Sequence, residues 1–182
     1  MKNVLVSSFI VAILALVSNI SYAAPPATTG EVKFTGRIIE TTCTVSNDTD
    51  KIVNMGTYLK SDIKTAGSKV AGSERDFKIK LTGCPIDASA PIMMDVTFSG
   101  SNADAEDPKL LALDALSSSK GIGIGIYDEN DNQISLSSTY SFPDTISKSD
   151  MVIPLKAAYV SNGAPSKAGT AEATLHFNIN YR

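Results

Sequence analysis

A single histidine, two cysteines and no C-x-x-C pair leave this 182-residue sequence few of the groups that enzymes and metal centres use. His176 stands alone, so a nucleophile pair has one available base and a metal site is short of ligands. Basic runs are missing too. Lys and Arg number 16 against 19 Asp and Glu, a formal charge of −3, which gives no support for nucleic-acid binding. Beyond residue 23 no apolar run approaches the roughly 20 residues that cross a membrane. The glycines at 121, 123 and 125 do not complete G-x-G-x-x-G, because position 128 is Asp. Asp128, Asn130 and Asn132 take calcium-loop positions one, three and five, but Gln133 replaces the required glycine and Thr139 the bidentate glutamate. These absences leave no catalytic centre, metal or cofactor to expect.

What is present begins with an export signal. Met1 and Lys2 form a short basic start, and Val4 to Val17 is almost wholly apolar. Ser21-Tyr22-Ala23 then carries small residues at both ends of a three-residue site, so residues 1–23 are expected to be a signal peptide cut after Ala23. Ser7, Ser8, Ser18 and Asn19 interrupt the run too soon for a membrane anchor. The remainder, 24–182, is long enough for one domain with a sizeable core. In an exported chain an even pair of cysteines reads as one disulfide, Cys43 to Cys84. Closing a loop of about 41 residues stabilises by about 4 kcal/mol in the chain-entropy account.

Alternation of apolar and polar residues dominates the rest. Gly30, Val32, Phe34 and Gly36 share one face of a short extended piece, and Thr42 to Val45 looks like a second. Strands are expected at Ile52–Gly56, Asp76–Leu81 (Phe77, Ile79 and Leu81 inward), Ile92–Phe98, Gly121–Tyr127, Gln133–Leu136, and Met151–Tyr159 with a break at Pro154. Leu110–Leu116 fits a short helix or a strand equally. Glycines on one face of 121–127 and isoleucines on the other imply close packing of backbone or rings against the glycine side. Asp128–Asn132 and Asn162–Gly169 read as turn and loop. Many short strands with turn signals between them give an all-β sandwich.

The two ends of the pattern are complementary. Ala171, Ala173, Leu175, Phe177, Ile179 and Tyr181 alternate with polar residues in a long strand that closes the sequence, with no later strand to pair with it. His176 falls on that strand's polar face, where solvent exposure is expected. Near the start, Gly30 to Phe34 is a spare strand behind a mobile, proline-containing leader. Folded back, the spare strand completes its own domain. Passed to another molecule, it adds to an exposed edge and builds an open fibre.

In order and spacing, Val32-Lys33-Phe34-Thr35-Gly36, Cys43-Thr44-Val45, Val53-Asn54-Met55-Gly56, Phe77 to Leu81 with Cys84, Ile153-Pro154-Leu155, Ala158-Tyr159 and Phe177 to Tyr181 resemble the pilins of the chaperone–usher route. The likeness covers essentially all of 24–182 and is nearest to type 1-like fimbrial major subunits. It departs before Gly30, where prolines and small residues stand in place of another apolar anchor.

The resemblance implies an incomplete immunoglobulin-like β-sandwich lacking its final strand, with residues 24–36 as a donor-strand extension and 37–182 as the pilin domain. Gly30, Val32, Phe34 and Gly36 would face the groove of a neighbour. Ala173, Leu175, Phe177, Ile179 and Tyr181 would line the acceptor groove and contact a periplasmic chaperone. Partners would be that chaperone, an outer-membrane usher, and other copies of itself and related pilins. The chain would travel through the periplasm to the cell surface as a non-enzymatic shaft subunit. A minor adaptor subunit, or a stand-alone exported β-sandwich that binds by its loops, is the alternative.

Overall fold

The computed structural model describes residues 31–36, 38, 42–47, 52–100, 104–136 and 138–182. The expected signal peptide and Gly30 lie outside these residues. The chain divides into two units, Met1–Gly36 and Arg37–Arg182. In the first, residues 31–36 form no strand, and Val32 and Phe34 are exposed.

The second unit is all-β in its described parts save one turn of 3-10 helix at Lys60–Asp62. Its strands are β1 (Thr44–Val45), β2 (Arg75–Thr82), β3 (Met93–Gly100), β4 (Ile122–Tyr127), β5 (Gln133–Ile134), β6 (Thr139–Thr145), β7 (Met151–Ser161) and β8 (Leu175–Tyr181). They form a five-stranded sheet in the order β1-β2-β7-β4-β5 and a three-stranded sheet in the order β6-β3-β8. All pairings between these strands are antiparallel.

Period-two patterning decides what each sheet buries. On β3, Met94, Val96 and Phe98 are fully buried, and they meet Ile79 and Leu81 of β2 and Ile153 and Leu155 of β7 in one core. Each such side chain contributes about 1.5–3 kcal/mol relative to an exposed one. Cys43 and Cys84 are bonded across a separation of 41 residues, joining the start of β1 to the end of β2.

β4 is buried on both faces. Ile122, Ile124 and Ile126 enter the main core, while the glycine side is covered by Leu110, Tyr127, Ala158 and Val160. A Cβ on Gly125 would lie 2.7 Å from the Tyr127 hydroxyl, and one on Gly123 would lie 2.9 Å from Leu110 Cβ. Glycine is what lets this second layer seat directly on the strand.

The structure departs from expectation at four places. Ile52–Gly56 is not a strand: Gly56 takes φ +86°, and its N–H donates to Asn54 Oδ1 at 3.0 Å, which curls the chain instead of extending it. Pro154 does not break β7. It pairs with Lys78 of β2, and the pairing of β7 with β4 starts only at Lys156, so the proline sits where one side of the strand needs no ladder bond. β6 was not expected at all. Its sequence, TYSFPDT, buries Phe142 alone, and as an edge strand it tolerates Pro143. Leu110–Leu116 is neither helix nor strand; Leu111 makes a single bridge to Ile124.

Gly123→Ala is expected to destabilise the domain by about 1–3 kcal/mol, since the added methyl meets Leu110 Cβ and, at 3.1 Å, the Leu111 carbonyl, neither able to swing away. A denaturation midpoint equal to that of the parent protein would refute this.

Candidate functional site

The unfinished part of the sandwich lies along β8. This strand is at the edge of its sheet, with β3 on one side and, among the described residues, no strand on the other. Its alternation is complete but shallow: Leu175, Phe177, Ile179 and Tyr181 are half-buried on the inner face, while His176, Asn178 and Asn180 are exposed. The inner side chains pack against the core without being covered by it.

Beside the start of β8 runs an open groove of about 870 Å³. Its floor is the inner face of the larger sheet, with Phe77, Ile79, Ile124 and Ile126. One wall is the segment from Ile52 to Lys60, and the other is residues 167–175 with Phe177. The groove therefore opens directly onto hydrophobic core.

The hydrogen-bond register shows which backbone groups are free. Met93 and Arg182 exchange N–H to carbonyl bonds at 2.8 and 3.0 Å. In an antiparallel ladder such pairs recur at every second residue, so Asn180, Asn178 and His176 also spend their N–H and C=O on β3. Leu175, Phe177, Ile179 and Tyr181 turn theirs to the open edge. The side chains that line the inner face and the main-chain groups that lack a ladder thus belong to the same residues.

Upstream, residues 170–174 continue the line with a different neighbour. Ser119 N–H donates to Thr170 O at 2.9 Å, Asp114 N–H to Glu172 O at 2.7 Å, and Thr174 N–H to Asp114 Oδ1 at 3.2 Å. Ala171 and Ala173 keep the half-buried face.

Two tyrosine hydroxyls fix the ends of this segment. Tyr159 donates to Ala171 O at 2.6 Å, and Tyr181 accepts from Cys43 N–H at 3.1 Å. Burial pushes both phenols above their usual range, with the charges of Tyr58 and Glu172 adding at Tyr159. Both stay protonated near neutrality. Near the other end, Arg182 Nε holds Asp95 Oδ2 at 2.8 Å.

The structure thus brings Ala173, Leu175, Phe177, Ile179 and Tyr181 onto one inward face and leaves His176 exposed, opposite Ser99. It does not build Val32, Phe34 and Gly36 into a strand. Sequence reasoning missed the Ile52–Lys60 wall, of which it reads only Ile52–Gly56 as a strand, and the latch role of Tyr159. It also stopped the apolar face of the N-terminal piece at Gly36. Ile38 continues the same phase and is 99% exposed; the alternation itself carried that signal.

The sequence model described as fimbrial protein matches residues 32–182. The chain is 32% identical to the long polar fimbria protein A of Salmonella typhimurium, over 95% of this chain and 94% of that one. It is 34% identical to the probable major fimbrial subunit LpfA of Escherichia coli O157:H7 at the same coverage. Among solved structures, a type I fimbria protein of Burkholderia pseudomallei matches with a TM-score of 0.57 and 27% identity, covering 84% of this chain and 98% of that one. The P pilus rod subunit PapA matches in fold, with a TM-score of 0.61 at 20% identity, over 77% of this chain and 99% of that one.

If the edge is open as described, amide exchange should alternate along β8. The N–H groups of Phe177, Ile179 and Tyr181 should exchange faster than those of His176, Asn178 and Asn180 by about tenfold or more, read by NMR. Uniform protection would mean the edge is covered.

Proposed function

The chain belongs to the fimbrial protein family and is a structural subunit of a bacterial pilus; from that premise we propose that it builds the shaft by donating Gly30–Gly36 to the groove of a neighbouring copy. The observation that carries this is the half-buried inner face of β8 beside its own backbone edge, which no strand among the described residues pairs. An extended segment laid along that edge would gain main-chain bonds, each worth about 0.5–1.5 kcal/mol net. It would also cover the groove with Val32 and Phe34, which are 75% and 91% exposed. Burying each contributes about 1.5–3 kcal/mol. Donor and acceptor are different surfaces of one chain, so the contact is heterologous and propagates as an open filament.

The same exposed edge requires protection before assembly, since an uncovered strand is a template for aggregation. We assign that role to a periplasmic chaperone on Ala173, Leu175, Phe177, Ile179 and Tyr181, replaced at an outer-membrane usher by the extension 24–36 of the incoming subunit. Export through the periplasm would follow cleavage of residues 1–23. The Cys43–Cys84 disulfide suits that oxidising compartment. The likeness to proteins named major subunits favours the shaft over an adaptor position. The role is structural rather than catalytic: the lone histidine is exposed on a strand, facing Ser99.

Phe34→Arg tests the donor assignment. It removes about 1.5–3 kcal/mol of burial at each junction and places a charge in an apolar groove. The subunit should still fold with its chaperone, yet give no fibres by electron microscopy and no ladder resistant to cold detergent. Fibres of normal resistance would place the donor contact elsewhere.

A further inference from the structure

A strand added to an open edge has a register problem. A slip of one residue turns its apolar face to solvent and is rejected by the core. A slip of two residues keeps every side chain on the correct face, and the ladder alone does not reject it. Some feature at the end of the edge has to.

The edge of residues 170–182 ends at Ala171. One side of the segment is occupied by 114–119 and then by β3. On the other side, Ala173, Leu175, Phe177, Ile179 and Tyr181 are open among the described residues, but the Ala171 carbonyl already accepts the Tyr159 hydroxyl at 2.6 Å. Tyr159 is held firmly. It lies on β7 opposite Ile124, is 7% exposed, and its N–H donates to the buried Ser73 hydroxyl at 3.1 Å. Its ring stands edge-on to Tyr58, centroids 6.1 Å apart at 76°. Tyr58 is anchored in turn: its hydroxyl lies 2.7 Å from Met55 O and 2.9 Å from Gly72 O, and accepts from Arg75 Nη2 at 2.7 Å.

Resting on the strand-donation reading, we infer that Tyr159 is the register stop of the groove. Its hydroxyl takes the carbonyl that a strand slipped by two residues would use. The edge-on Tyr58 ring packs against Tyr159 and keeps that hydroxyl in place. The five open residues then match the five in-phase positions Gly30, Val32, Phe34, Gly36 and Ile38 of a donor. Tyr159 is thus a positioning residue that acts on the incoming strand through Ala171.

The test uses the full, disulfide-bonded chain refolded with an excess of a synthetic peptide spanning residues 28–40, with photoreactive benzoylphenylalanine at the Phe34 position. Cross-linked residues are located by mass spectrometry. The parent protein should give one cluster of cross-links. Tyr159→Phe should give a second cluster displaced by two residues toward Ala171. Tyr58→Phe, which keeps both rings and the Tyr159 hydroxyl, should keep a single cluster. An unchanged single cluster in Tyr159→Phe overturns the stop, as does a second cluster in Tyr58→Phe, which would indicate general loosening. Absence of any cross-link in the parent protein would instead overturn the donation reading on which the inference stands.

A second measurement needs no variant. In the peptide complex of the parent protein, the amides of Leu175, Phe177 and Ile179 should slow by about tenfold or more while that of Ala171 exchanges as in the free chain. Slowing at Ala171 to the same degree would show that the added strand passes the stop.

Discussion

Every buried backbone N–H and C=O needs a partner, and among the described residues the strand closest to the open core has strand partners on one side only. The even-numbered residues of β8 spend their main-chain groups on β3, and the odd-numbered ones hold the groups that remain. Those same odd residues carry Leu175, Phe177, Ile179 and Tyr181 onto the core without being fully covered. Two deficits of different physical origin, unmade hydrogen bonds and unburied apolar surface, therefore coincide along one line. A single extended segment would relieve both.

The remainder of the domain is built to stand without that segment. Met94, Val96 and Phe98 of β3 are fully buried against β2 and β7, so the strand that supports β8 is fixed from behind. The disulfide joins β1 to the end of β2, and Cys43 passes a hydrogen bond to the Tyr181 hydroxyl. At the other end the 114–119 segment and Tyr159 hold residues 170–174. The groove is bordered by groups whose own bonds are made, which keeps it a shaped recess.

The glycine strand solves a separate packing problem. β4 lies between the main core and a second small layer of Leu110, Tyr127, Ala158 and Val160. Isoleucines fill one side, and the absence of Cβ atoms lets Leu110 and the Tyr127 ring approach the other. The larger sheet is covered on both sides there, and its inner face is correspondingly well placed to serve as the groove floor.

Much of this was legible in the sequence because period-two alternation is a local property. It was sufficient for β2, β3, β4, β7 and β8, for the inward face from Ala173 to Tyr181, and for ring packing on the glycine side of β4. It failed where local chemistry and tertiary context disagree. β6 lies where no strand was expected, and it is a strand because β3 offers it an edge. Pro154 reads as a break and is tolerated because β4 is absent opposite it. Ile52–Gly56 reads as a strand and becomes a wall through the left-handed Gly56. The sequence alone determined the alternation of Ala171 to Tyr181 and of Gly30 to Gly36, since both follow from residue order. Only the tertiary structure decided which backbone groups are open and where the edge stops, because Tyr159 and Ala171 meet through β7 and β8, and no periodicity within either segment encodes that contact.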